Sequence, residues 1–418
     1  MLDRTLAPEI KEVDEVKFIY PQVIQLNQFV PLFWIKDVPN STARLDFYFD
    51  AGTIRSKSLI ASLTAGMLFS GTKEKDAITF HNLLDDVGAY YDVSVSHEHA
   101  VVSFYGLNEQ IIHIFRIFEE AMEHVDFPQS ELDEIIKERI QKLQVSLEKV
   151  GVLAQREFQK TLFDQTAYGR FANLEDFKNV FRSEIVDFFE QFYRNGLTKI
   201  VVVGDIPSPS INYIINQSKK WCIRQKPQFE LSFSNKPGVN NSEKQDAVQT
   251  AIRIGKILFN KEHEDYISFT ILNTILGDYF GSRLMKNIRE DKGFTYGIGS
   301  FVSELNHTGY FVIATEVGKE FTQKTIDEIR KEIEILQTVL IDDEELNLIR
   351  SYLLGQILKS ADGPYATMDL FLAVEEHGMD LEFYNRYIQK IRTIKSEELQ
   401  EIARKYLSWE SLSIIAVG

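Results

Sequence analysis

The chain repeats itself once, and that repeat limits its fold more than any other feature. Gln129-Ser-Glu-Leu132-Asp-Glu-Ile-Ile is echoed by Asp343-Glu-Glu-Leu346-Asn-Leu-Ile-Arg, and Lys199-Ile-Val-Val-Val-Gly204 by Ser413-Ile-Ile-Ala-Val-Gly418; both pairs stand 214 positions apart. A period that long is no solenoid unit, so the expectation is a duplicated α+β domain. The length of 418 residues agrees, because one hydrophobic core stops growing well before that size.

Each copy reads in the same order. In the first, the β-rich runs Phe29 to Ile35 and Ala43 to Gly52 precede a helix from Lys57 to Gly71 and a hairpin over Tyr90 to Tyr105. Amphipathic helices over Asn108 to His124 and Ser130 to Val150 follow, then more helix and the strand ending at Gly204. After Trp221 the composition turns polar and rich in Pro, Asn and Ser. The predicted division is therefore a domain at 1–222, a linker at 223–246 and a second domain at 247–418.

Composition excludes several functions. A net charge of −16 disfavours a nucleic-acid partner, whose affinity rests on Lys and Arg neutralising phosphates, and favours cationic partners such as basic peptides. Cys222 is the only cysteine, so neither an intramolecular disulfide nor a cysteine zinc cluster is available. No apolar run has the length of a membrane span, and the N-terminus lacks the apolar core of a signal peptide. A cytoplasmic chain is expected, although a secreted or periplasmic chain with its leader removed reads identically.

Two stretches carry candidate chemistry. In Lys286-Asn-Ile-Arg289-Glu-Asp-Lys-Gly293-Phe-Thr-Tyr296-Gly297, the glycine suits the left-handed residue after a helix. Arg289 then falls in the last helical turn and Tyr296 on the emerging strand, where the side chains converge. The plain alternative is a surface ion pair between Arg289 and Glu290 with a half-buried Tyr296. The glycines of this segment do not make a phosphate loop, because the Gly-Lys-Ser/Thr ending is missing and the segment follows a helix instead of opening one. The other stretch is Ser58-Leu-Ile-Ala-Ser62-Leu-Thr-Ala65-Gly66-Met67-Leu-Phe-Ser-Gly71-Thr72. His97-Glu98-His99 offers two imidazoles with no third ligand nearby and reads as a polar strand end or turn, while Glu375-Glu376-His377 and His263-Glu264-Asp265 read as solvated faces.

Two related halves, each closing on a Val/Ile-rich strand and glycine, resemble the pitrilysin (M16) family of zinc peptidases and their non-catalytic partners. Gly66 to Thr72 is similar to the segment that follows the inverted His-x-x-Glu-His zinc motif, and Gly281 to Ser300 is similar to the C-terminal signature. The resemblance implies two α+β domains of M16 (LuxS/MPP-like) type, each a mainly antiparallel sheet with helices packed on one side. It puts the first histidine at Ser62, the glutamate base at Ala65, the second histidine at Gly66 and the distal glutamate ligand at Lys142. None of these can serve: the motif needs two imidazoles on one helix face and a carboxylate to polarise water. This chain is thus expected to hold no metal or other cofactor, with zinc in a partner.

The resemblance also gives Arg289 and Tyr296 a role, hydrogen-bonding the substrate backbone and the oxyanion across a clam-like acidic chamber. Arg283, in the same signature, is expected to be structural. The implied protein is a non-catalytic subunit of a heteromeric metallopeptidase, partnered in a heterodimer or larger assembly with a zinc-bearing M16 homologue, acting on unfolded peptide. The alternatives are a structural assembly subunit resembling the core proteins of respiratory complexes, and an enzyme with an unrelated metal site.

Overall fold

The computed structural model describes residues 15–36, 38–56, 58–164, 166–225, 231 and 233–418. The first half is built on β1 (Gln22–Gln25), β2 (Pro31–Ile35), β3 (Thr42–Phe49), β4 (Tyr90–Val95), β5 (Ala100–Leu107) and β6 (Leu197–Val203), in the order β1-β2-β6-β3-β5-β4. The second uses β7 (Gly238–Ser242), β8 (Gln249–Leu258), β9 (Thr295–Leu305), β10 (Thr308–Gly318) and β11 (Ser413–Val417), in the order β7-β11-β8-β10-β9. Strand for strand, β2-β6-β3-β5-β4 matches β7-β11-β8-β10-β9. The duplication read from sequence is a duplication of topology, including the one parallel pair in each sheet, β2 with β6 and β7 with β11.

That match moves one boundary. The polar segment at 223–246 contains β7, the opening strand of the second sheet. Its sequence, Gly-Val-Asn-Asn-Ser, is exposed throughout and lacks the apolar alternation that marks a half-buried strand. Main-chain pairing along β11, not side-chain burial, holds it in place.

Each sheet packs its own helices on one face. Leu45, Phe47 and Phe49 meet helices such as Ile111–His124, and Ile252, Ile254 and Ile313 meet helices such as Tyr266–Leu276 and Thr322–Thr338. The opposite face of each sheet is closed by the other half. Helix Val150–Phe163 lays Ala154, Phe158 and Leu162 on Ala251, Val312 and Ile415 of the second sheet. Helix Gly363–Glu375 lays Met368, Phe371 and Leu372 on Phe33, Ile35, Val201 and Val203 of the first. The halves therefore interlock through a reciprocal exchange of equivalent helices, and neither sheet is fully covered without its neighbour.

Charge secures the crossing. Lys199, buried in β6, reaches Glu375 at 2.8 Å and Glu376 at 3.2 Å, and Arg44 in β3 bridges Asp46 at 2.7 Å and Asp369. Burial pushes the Asp46 carboxyl up to about 6, with the Arg44 guanidinium opposing the shift. Glu375, Glu376 and His377 thus do not lie on a solvated face, as their polarity suggested. The His377 ring is almost fully covered, 3.3 Å from Glu262, and His263 stacks on Phe259 at 4.1 Å.

Candidate functional site

Helix Tyr266–Leu276 stops at Gly277, where any side chain is excluded: a Cβ there would stand 2.5 Å from Ser300 Oγ and 2.7 Å from the Ser300 nitrogen. The chain turns through Tyr279 and Phe280, then forms a π-helical turn over Met285–Asp291. Gly293 follows at φ +64°, the left-handed conformation that glycine adopts without cost, and releases the chain into β9. Wide helical turns of this kind recur at functional positions because they insert a residue and re-aim side chains.

Tyr296 is aimed by a second irregularity. Between the pairs Thr315↔Ile298 and Val317↔Thr295 the register slips, leaving Tyr296 and Gly297 opposite the single residue Glu316. This β-bulge is satisfied internally, since the Thr295 hydroxyl accepts from the Gly297 N–H at 3.1 Å and donates to the Glu316 carbonyl at 2.7 Å. The Thr315 hydroxyl donates to the Gly297 carbonyl at 2.9 Å. Bulges bend a strand and redirect its side chains, and the Tyr296 side chain stands in solvent with Tyr296 92% exposed.

The two predicted residues do meet. The Arg289 guanidinium carbon lies 5.5 Å from the centre of the Tyr296 ring and 4.7 Å from that of Phe280, itself 66% exposed. No carboxylate of the described residues pairs with Arg289, so Glu290 is not its partner. Two ring faces hold the cation by their quadrupoles while leaving its N–H edge unspent. A cleft of about 710 Å³ opens beside the stack, lined by Arg253, Tyr279, Phe280, Tyr296, Phe301 and Glu316 among others.

Arg283 anchors this segment from behind. Its Nε and Nη2 bond Glu345 at 3.0 and 2.6 Å, a two-point ion pair to helix Asp343–Ser360. Asn287 adds a bond to Glu332 at 2.7 Å, on helix Thr322–Thr338. Phe280 is the functional candidate that sequence reasoning missed. Its only signal was an aromatic residue in a turn beside a glycine.

In the first half, Ser62, Ala65 and Gly66 lie in the last turns of helix Ser58–Gly66, with Ala65 buried and Gly66 exposed. Lys142 is not brought to them; on helix Gln129–Leu147 it points to solvent and pairs with Glu138. One turn earlier on that helix, Arg139 reaches Ser62 instead. Its Nη1 bonds Ser62 Oγ and its Nη2 the Ser62 carbonyl, both at 2.8 Å, and a Cβ on Gly66 would stand 3.1 Å from Nη2. A hydroxyl, a methyl, a bare backbone and a guanidinium do not suit a divalent cation, because the first three supply no basic ligand and the fourth repels the ion.

The histidine pair also separates. Residues 96–99 form the turn between β4 and β5; His97 lies 3.1 Å from the Thr53 hydroxyl, whereas His99 turns to Glu376 at 3.4 Å. Glu98 is buried and accepts a 2.6 Å bond from the Tyr168 hydroxyl. Among the described residues no group of three or more His, Cys, Asp or Glu side chains is arranged to hold a metal ion, and no helix is long and apolar enough to cross a membrane.

Comparison with known proteins supports the family on both halves. Residues 33–171 match the family Insulinase (Peptidase family M16), and residues 179–353 match the Peptidase M16 inactive domain. The chain belongs to peptidase family M16. Among M16 relatives, a Helicobacter pylori protein described as non-peptidase homolog YmxG is 22% identical, over 98% of this chain and 93% of its own length. The human mitochondrial-processing peptidase subunit beta is 20% identical, over 90% of this chain and 80% of its own length. The fold matches the crystal structure of a peptidase M16 inactive domain from Pseudomonas fluorescens with a TM-score of 0.86, at 20% identity, covering 96% of this chain and 98% of that one. The chain is thus an M16 homologue that lacks the family's zinc motif.

Proposed function

We propose that this chain is the non-catalytic subunit of a heteromeric M16 zinc metallopeptidase. In this reading a separate M16 homologue carries zinc and the water it activates. This chain supplies part of the chamber wall and holds the peptide through Arg289 and Tyr296, which also meet the oxyanion formed as the peptide bond is attacked. The observation that carries the proposal is the Arg289 guanidinium held between two aromatic rings with no carboxylate partner among the described residues. Arg283 in the same segment is, by contrast, spent on Glu345. The acidic net charge of −16 favours entry of unfolded basic peptides, and the proposed compartment is the cytoplasm.

Reconstitution tests the proposal. Mixed with a zinc-bearing M16 homologue from the same genome, the chain is expected to co-elute with it and to produce peptide cleavage that neither chain gives alone. Cleavage by the homologue alone at the rate of the mixture contradicts it.

A further inference from the structure

Arg253 stands in β8 two residues after Ala251, on the sheet face that helix Val150–Phe163 covers. Its Nη2 donates to the Gly151 carbonyl and its Nε to Gln155 Oε1, both at 3.2 Å; these acceptors belong to that helix and so to the first half. Its Nη1 donates to the Ile252 carbonyl of its own strand at 2.9 Å and to the Thr315 carbonyl of β10 at 3.4 Å. All four acceptors are neutral. A planar guanidinium with five donors can span them together, which a lysine ammonium cannot.

Thr315 is the next link. Its hydroxyl lies 2.9 Å from both the Gly297 carbonyl and Thr295 Oγ1, the groups that hold the β-bulge. A bulge carries a residue with no ladder partner, so side-chain bonds of this kind decide where it points. Gly151 closes the same corner from the helix side: a Cβ there would stand 2.2 Å from Glu316 Oε1, on the residue opposite the bulge. From Gly151 and Gln155 through Arg253 and Thr315 to Gly297, each step is a hydrogen bond, and Tyr296 adjoins its end. Arg253, Thr315 and Glu316 line the same cleft as Tyr296.

We propose that Arg253 is a positioning residue for Tyr296, transmitting the seating of the first half's helix to the bulge that presents the tyrosine in the second. The stack of Arg289 and Tyr296 then keeps its geometry only while the halves are interlocked. A disturbance at the helix reaches the stack through main-chain carbonyls, in addition to the apolar contact between the halves. The consequence for catalysis rests on the function proposed above; the placement of Tyr296 does not.

The test follows the Tyr296 ring resonance in the full chain carrying labelled tyrosine, assigned by its loss in Tyr296→Phe, with the buried Tyr193 of the first core as reference. Arg253→Met keeps the apolar stem and removes the fork; it is expected to move and broaden the Tyr296 signal while that of Tyr193 stays. Gln155→Ala leaves the guanidinium in place and is expected to do the same to a smaller degree, and Gln155→Glu to hold the wild-type signal through a charge-assisted bond. This second pair decides the matter if Arg253→Met does not fold. In the reconstituted mixture Arg253→Met is expected to lower turnover at saturating peptide about tenfold, as for a catalytic group shifted out of place. A Tyr296 signal that is unmoved in folded Arg253→Met, or in Gln155→Ala where the former does not fold, refutes the positioning, as does one that moves no more than Tyr193. A displaced Tyr296 signal with full turnover leaves the positioning standing and refutes the catalytic part given to Tyr296.

Discussion

Two guanidinium groups, one in each half, are held in opposite ways. Arg139 is drawn inward onto Ser62, over helix positions that resemble a zinc motif emptied of ligands. Arg289 lies against the rings of Phe280 and Tyr296, with no carboxylate paired to it among the described residues. The same duplicated sheet order supports both. The difference lies in local irregularities: a straight helix end in the first half, against a glycine break, a π-helical turn and a β-bulge in the second. In the first half a guanidinium lies over the helix end, bonded to Ser62. The second half has an irregular backbone, and its β-bulge leaves Tyr296 exposed beside Arg289.

The largest expected effect is a switch in metal content. The triple variant Ser62→His, Ala65→Glu, Gly66→His should bind no zinc after dialysis, because the new histidine side chain would meet Arg139 Nη2 and the cation repels the ion. Adding Arg139→Glu should bring zinc into the protein, as read by elemental analysis, whereas adding Lys142→Glu should not. Stoichiometric zinc in the triple variant alone would break the comparison.

Next in size is the interlock. Phe158→Ala and Phe371→Ala each remove a side chain through which one half covers the other's sheet. Each should cost about 3 to 5 kcal/mol in denaturant unfolding, as for buried aromatics elsewhere. Because the exchange is reciprocal, both halves should unfold together; separate transitions for the two halves in either variant would show that the exchanged helices do not couple them. Arg283→Ala should cost about 2 kcal/mol by stranding the half-buried Glu345 carboxylate. It should also loosen Arg289, seen as a broadened Tyr296 ring resonance.

The smallest effect separates holding from chemistry. Phe280→Ala removes one of two rings around Arg289, a contact of about 0.5 to 1 kcal/mol at an exposed position, so reconstituted cleavage should fall only about two- to fivefold. A loss as large as that from removing the guanidinium itself would mean that Phe280 touches substrate.

How much of this the sequence revealed depended on the kind of signal each part left. The repeat was plain because Leu132 and Leu346 and the strands ending at Gly204 and Gly418 are apolar and buried in register. Gly293 marked the helix end correctly, since a left-handed residue leaves a compositional trace. β7 left none, being polar and held by backbone pairing alone. The exchange of helices Val150–Phe163 and Gly363–Glu375 left no signal either, because which sheet a helix covers is a matter of tertiary packing. Arg139 looked like any charged residue on an amphipathic helix, and the resemblance placed a cation at Lys142, one turn away, where the side chain is solvated. The bulge was invisible for a related reason: its identity lies in the register of two strands.

The most direct measurement is the rate of peptide cleavage by the reconstituted mixture when Arg289→Ala and Tyr296→Phe are introduced into this chain. The variants should still assemble with the zinc-bearing homologue and still leave its zinc in place. The turnover rate at saturating peptide should fall about 10²- to 10³-fold, as for loss of oxyanion donors in other hydrolases. Full activity of the doubly substituted mixture would contradict the account and leave the Arg289 and Tyr296 stack without a part in catalysis.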